Sequence, residues 1–398
     1  MIKREQYLQK LRGFYDSDLV KVITGVRRSG KSVLLSQVMQ ELRDAGVPDS
    51  HIIFINFEDL GYSDITDAKA LDSHIKAQIA DRAKYYVFLD EVQNVAEFER
   101  AVNSLRATQN VSLFITGSNG KLLSGELATL LSGRYVSTRI MPFSYREVFD
   151  YTGTDWRDRK AGFLDYMEWG GMPQLYNLQS ESQYGTYLED LYNSIILRDI
   201  IERYGFKNVD LLNRVLQFVI ENIGGVFSVN SIVKYLKNEK ITSSPTTIYR
   251  YLDAIEASLI ISRANRYDIR GKKVIQFYEK YYVTDLGLLK LKRTSYEKST
   301  GGRLENIVYN ELLVRGKKVY VGEADGREVD FIAEDQSGIT YIQVAETLSA
   351  PGVEEREFSA FAAVPDSYPR LVLSMDELDY SQGGVRHVHV VDWLLQEL

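Results

Sequence analysis

The stretch Gly25-Val26-Arg27-Arg28-Ser29-Gly30-Lys31-Ser32 fits the pattern GxxxxGK[S/T] at every position. It constrains the fold because such a loop works only between a strand and a helix. The glycines let the backbone curl until successive N–H groups point inward, and the helix after the loop aims its N-terminal amides at the same spot. Both flanks read accordingly. Leu19-Val20-Lys21-Val22-Ile23 is an apolar run of strand length, and Val33-Leu34-Leu35-Ser36-Gln37-Val38-Met39 reads as a helix. The expected guest is a chain of phosphates. Gly25, Arg27, Arg28, Ser29, Gly30, Lys31, Ser32 and Val33 would hold it, with Lys31 on the β- and γ-phosphates and the Ser32 hydroxyl on Mg²⁺.

Further stations come in order along the chain. Tyr85-Tyr86-Val87-Phe88-Leu89 is an apolar strand ending in Asp90-Glu91. Asp90 is expected in the Mg²⁺ shell, and Glu91 is expected to orient and activate an attacking water. The strand Val111-Ser112-Leu113-Phe114-Ile115-Thr116 ends in Gly117-Ser118-Asn119. Asn119 at that tip is placed to hydrogen-bond the γ-phosphate or the water. Ser132-Gly133-Arg134 comes next, and Arg134 on this loop is a candidate for stabilising the transferring phosphoryl group from a neighbouring subunit. That role requires an oligomer, expected as a ring. Two more apolar runs, 52–57 and 135–140, alternate with helical segments, which argues for a parallel sheet with its ligand at the carboxyl ends of the strands.

Composition narrows the rest. A chain of 398 residues has room for two to four domains. There is no cysteine, which removes disulfides and thiolate chemistry and suits a reducing cytoplasm. No apolar run approaches a membrane span, and no apolar stretch comes after the charges of Met1-Ile2-Lys3-Arg4, so neither a membrane segment nor a signal peptide is expected. The net charge of −7 argues against a uniformly basic coat and leaves room for a local basic face.

With these residues in view, the chain resembles the prokaryotic AAA-type ATPases of the archaeal-ATPase-like kind. Their motifs correspond here to Gly25–Ser32, Leu89-Asp90-Glu91-Val92-Gln93, Thr116-Gly117-Ser118-Asn119 and Ser132-Gly133-Arg134. The resemblance implies an ATP- and Mg²⁺-using P-loop core over residues 1–150 and a helical lid over 151–207. Gly170-Gly171-Met172-Pro173 is similar to a lid element in which the proline, here Pro173, packs near the adenine.

Residues 208–297 read as a winged helix. Leu211, Leu212, Val215, Leu216, Val219 and Ile220 have helical spacing, Ser228 caps a second helix, and Ser244-Pro245 opens a third. Two strand-like runs joined by Asp268-Ile269-Arg270-Gly271-Lys272-Lys273 complete the pattern. From Lys234 to Arg293 there are 13 Lys and Arg against 6 Asp and Glu, the electrostatic footprint of phosphate-backbone binding. Thr247, Tyr249 and Arg250 on the third helix, and Arg270, Lys272 and Lys273 on the wing, are the candidate DNA contacts. A protein-binding role is the alternative for such a module.

Residues 298–398 resemble the restriction-endonuclease-like PD-(D/E)xK fold. Glu305 and Asp330 match its acids, but Gln343 stands where the second strand acid belongs and Ala345 where the lysine belongs. A neutral amide holds Mg²⁺ poorly, so hydrolysis of DNA is expected to be lost or severely weakened. His387 and His389 share a strand face, and with no third ligand in view a metal is not expected there.

The whole reads as an α/β protein: a P-loop AAA-type core with a parallel sheet, a helical lid, a winged-helix module and a restriction-endonuclease-like α/β domain. The expected function is a DNA-binding ATPase that moves along or remodels DNA. Branched DNA such as a Holliday junction is the preferred substrate and a homo-oligomeric, hexameric ring the expected assembly. A nucleotide switch whose C-terminal modules bind protein, and an ATP-dependent nuclease, are the alternatives.

Overall fold

The computed structural model describes residues 2–118, 120, 130–131, 133–292 and 300–396, with the side chains of 276–278 and 292 left aside. The chain forms two compact units, one of residues 1–142 with 257–259 and the other of 143–256 with 260–398.

The first unit is built on five strands: β1 (Val20–Thr24), β2 (Ile52–Asn56), β3 (Tyr85–Asp90), β4 (Val111–Gly117) and β5 (Tyr135–Arg139). They lie in the order β2-β3-β4-β1-β5, and every pairing is parallel. Strands buried on both faces carry near-continuous apolar runs, and successive residues here feed opposite cores. Val22, Val87 and Leu113 pack toward helices Ala68–Gln78 and Phe98–Thr108 through Leu71, Ile75, Val102 and Leu105. Ile23, Phe88 and Phe114 pack toward helix Lys31–Asp44 through Leu34, Leu35 and Val38, joined by Tyr7, Leu8 and Leu11 of helix Glu5–Arg12. The rings of Phe88 and Phe114 stack at 4.6 Å.

The second unit begins with helices. Helix Tyr145–Thr152 opens with a reciprocal capping box between Ser144 and Glu147. Helix Glu181–Ser194 runs on into a π-helix, Ile195–Glu202. Asp285 ties the glycine segment down: its buried carboxylate accepts the Gly171 amide at 2.7 Å and the Gly287 amide at 2.9 Å. Burial pushes its pKa up to about 6, opposed by backbone amides including those of Met172 and Leu288. Gly170 has φ +79°, and a Cβ there would lie 2.2 Å from Asp285 Oδ1, so the position is closed to any side chain. Pro173 starts the short 3-10 turn Pro173–Asn177 immediately after.

Helices Val209–Glu221, Val229–Asn238 and Pro245–Ala257 then precede a hairpin of β6 (Ile261–Asp268) and β7 (Lys273–Val283). This is the element order expected over 208–297. The hairpin, however, is not separate from the C-terminal strands. β6 pairs in parallel with β8 (Lys318–Ala324), through Arg266↔Val321 to Asp268↔Glu323. With β9 (Arg327–Asp335), β10 (Gly338–Val344), β11 (Arg370–Ser374) and β12 (Val385–His389) it forms one sheet ordered β12-β11-β10-β9-β8-β6-β7. The sheet therefore runs across position 297. The reason is that an open strand edge must be paired or covered, and the outer edge of β6 is paired by β8. Among the described residues no helix is long and apolar enough to cross a membrane.

One buried charge in the first unit has a measurable consequence. Lys21 on β1 is fully buried; its Nζ donates to Ser17 O at 3.1 Å, Leu19 O at 3.0 Å and Ser112 Oγ at 2.6 Å. Burial, with a smaller push from Lys84, brings its pKa down from 10.5 to about 7. Between those values the unfolded chain holds the extra proton, so this group's contribution to stability rises with pH. Lys21→Met is expected to raise the Tm by about 4 °C at pH 6, with the gain over wild type shrinking by pH 9. Thermal unfolding of both proteins across that range checks it.

Candidate functional site

The loop at residues 25–30 joins β1 to helix Lys31–Asp44. Its shape is set by three positions. A Cβ at Gly25 would lie 2.6 Å from both Ile140 O and Ser29 Oγ, so only glycine fits. Arg28 and Gly30 take positive φ, 67° and 99°, and this curls the chain back on itself. Gly30 supplies no side chain to cap the helix, so the amides of its first turn are left for an anion. Ser29 is buried, Val33 half-buried and Ser32 exposed. Arg27 reaches Glu58 at 3.3 Å and Arg28 is exposed.

The acidic strand converges on this loop. Lys31 Nζ lies 3.1 Å from Glu91 Oε1 and donates to Gly25 O at 3.3 Å. Both members of the pair are buried. β4 stands between β1 and β3, and its Thr116 holds the end of β3. The Thr116 hydroxyl accepts the Glu91 amide at 2.9 Å and donates to the Asp90 carboxylate. Glu91 itself sits at φ 54°, a strained backbone at a strand end, which turns its side chain out of the strand pattern. Burial pushes Asp90 above the usual carboxylate range, against hydrogen bonds from Ser32 and Thr116. Burial acts the same way on Glu91, but Lys31 and Gln93 outweigh it and hold that carboxyl below its ordinary value. The cluster of Lys31, Ser32, Asp90, Glu91 and Thr116 thus offers a cation, two hydroxyls and two acids around one anion cradle. Ser32 and Asp90 are the residues able to hold Mg²⁺ there. Arg139, paired in register with Thr24 at the same end of the sheet, was not singled out from the sequence.

Other expected residues lie elsewhere. Asn119 and Ser132 are outside the described residues. Arg134 precedes β5, and its carbonyl accepts the amide of Val20, the first residue of β1. It therefore sits at the end of the sheet opposite the loop, roughly 16 Å away for five strand residues, and is not beside its own chain's phosphate cradle. Pro173 belongs to the second unit.

Of the candidate DNA contacts, Tyr249, Arg250, Lys272 and Lys273 are exposed. The Thr247 hydroxyl is engaged with Ser244, the residue before helix Pro245–Ala257, at 2.9 Å. Arg270 is paired with Asp325 in the turn between β8 and β9. In the last module, Asp330 on β9 and Gln343 on β10 are neighbours: Gln343 Oε1 accepts the Asp330 amide at 2.6 Å. Glu305 on helix Thr300–Val314 faces Lys280 of β7, a residue not expected there, at 2.9 Å. His387 binds Ser374 Oγ at 2.9 Å and the Tyr380 amide at 3.3 Å, and His389 Nδ1 accepts the Val391 amide, so both rings serve local structure.

Comparison with known proteins places this geometry. An uncharacterized protein of Haemophilus influenzae is 38% identical over 400 residues, covering 100% of this chain and 99% of its own. The chain belongs to the family of that protein. Residues 17–149 match an AAA domain, and residues 160–296 match a domain of unknown function. Uncharacterized protein MJ1544 of Methanocaldococcus jannaschii is 28% identical over 387 residues, 94% of this chain and 85% of its own. Among solved structures, the Walker-type ATPase Paby2304 of Pyrococcus abyssi aligns at a TM-score of 0.46 and 16% identity, over 74% of this chain and 96% of that one. The AAA domain holds the loop, both acids and Thr116.

Because Thr116 is the part that sets Asp90, Thr116→Val is a shape-conserving test. It leaves the buried Glu91 amide unpaired and takes from Asp90 one of its two hydroxyl donors, Ser32 being the other. Nucleotide affinity is expected to fall about tenfold when measured with Mg²⁺ and to change little with EDTA; titration of a fluorescent ATP analogue under both conditions checks it.

Proposed function

We propose that the chain is a DNA-binding ATPase that hydrolyses ATP with Mg²⁺ and uses the energy to remodel DNA, branched DNA by preference. The observation that carries the ATPase reading is the convergence of Lys31, Ser32, Asp90 and Glu91 on one glycine loop, with Lys31 and Glu91 3.1 Å apart. Lys31 would bind the β- and γ-phosphates, exchanging its carboxylate partner for phosphate oxygens. Glu91, released, would orient a water and take its proton as the water oxygen bonds to the γ-phosphorus and the bond from that phosphorus to the bridging oxygen breaks. Ser32 and Asp90 would hold Mg²⁺, which would supply neutralisation of the charge gathered on the phosphates.

Two further features support the rest. Arg134 lies away from its own loop, so a role in phosphoryl transfer requires a neighbouring copy, which favours a ring. Tyr249, Arg250, Lys272 and Lys273 present exposed cations and an aromatic on a module with a local excess of basic residues, suited to a phosphate backbone. The test is ATP hydrolysis without DNA, with duplex and with a four-way junction, at two salt concentrations. The expected result is stimulation, strongest with the junction and weaker at high salt. A rate indifferent to all DNA would replace this reading with a protein-binding nucleotide switch.

A further inference from the structure

Lys280 of β7 is nearly sealed from solvent, its side chain 3% exposed. Its Nζ lies 2.7 Å from Glu328 Oε1, 2.9 Å from Glu305 Oε1 and 3.5 Å from Asp330 Oδ1. An ammonium has three N–H donors, and here a carboxylate faces each. The acids come from two elements, helix Thr300–Val314 and strand β9, so long-range folding gathers them around one point. The surrounding polar atoms are also committed. Tyr282 Oη donates to Glu305 Oε1 at 2.6 Å, and Asp330 Oδ2 accepts the Val344 amide at 3.0 Å. Gln343 is turned to the Asp330 amide and to Glu357 Oε2, the latter at 2.7 Å.

We propose that the Lys280 ammonium is the resident cation of this carboxylate cluster, standing where a divalent ion would otherwise be drawn, so that the module is closed to metal. Glu305 and Asp330 are largely buried beside the more open Glu328, and such a pair cannot remain ionised without a cation between them. Lys280 meets that need with a charge tied to the backbone by four methylenes. Its three acid neighbours hold it protonated well above the ordinary lysine range despite burial. Burial and the charge of Glu305 push Asp330 upward, with Lys280 opposing. A tethered monovalent ammonium pairs with all three acids but has no open coordination position for water. The cluster is thus an ion-paired brace between the hairpin and β9.

The test counts Mn²⁺ bound by the full chain without nucleotide, by electron paramagnetic resonance. Asp90→Asn is carried in every protein to silence the cation ligand of the AAA domain. The parent is expected to bind no Mn²⁺ at micromolar concentration. Lys280→Ala should gain one Mn²⁺ per chain, with a lowered Tm that Mn²⁺ restores, and adding Asp330→Asn should abolish the gain. Lys280→Gln, which keeps length and hydrogen bonding, serves if the alanine variant does not fold, and is expected to gain the same ion. A parent that already binds one Mn²⁺ through Asp330 would overturn the proposal, since the site would then be open beside its lysine. Folded variants that gain none, or unfolded ones that Mn²⁺ does not rescue, would overturn it as well.

Discussion

The buried pair between Lys31 and Glu91 organises the AAA domain. Neither charge can sit at that depth alone, because an isolated buried ion costs several kcal/mol or more. Without nucleotide each satisfies the other. The pair also joins two places that the sheet order separates, since β4 lies between the loop strand and the acidic strand. Thr116 of β4 holds the β3 side of that arrangement through the Asp90 carboxylate and the Glu91 amide. On the proposed function, a phosphate entering the loop would compete with Glu91 for the same ammonium. Binding would then release the base in the same event and tie water activation to an occupied site.

The second unit uses the same logic with different parts. Asp285, buried and held by backbone amides, pins Gly171 and thereby sets where Pro173 begins its turn. Lys280 gathers three acids and ties the hairpin to β9. In both places a buried charge fixes distant segments because no other arrangement satisfies it. The parallel pairing of β6 with β8 completes this, turning a hairpin and the C-terminal α/β segment into one seven-stranded sheet.

The AAA domain was legible because its signals are local. Loop spacing is strict and strands buried on both faces read as unbroken apolar runs; outside that domain, Ser228 and Ser244-Pro245 announce helix starts in the same local way. What escaped was long-range. Nothing near Lys280 in the chain points to Glu305 or Asp330, and nothing near Asp285 points to Gly171. The sequence placed Arg134 after the phosphate motifs and gave it a role toward a neighbouring subunit, but not its distance from its own loop. Strand direction supplies that distance, since a residue that opens a parallel strand lies at the end away from the ligand. The merging of two expected modules was hidden for a similar reason: the edge of β6 is written in no short motif.

The most direct test of the account compares ATP affinity and turnover in wild type and Glu91→Gln. Freed of its carboxylate partner, Lys31 should bind ATP with Mg²⁺ about tenfold more tightly, while turnover falls at least about a hundredfold. Turnover equal to wild type would show that Glu91 neither competes for Lys31 nor activates water, and would contradict the account.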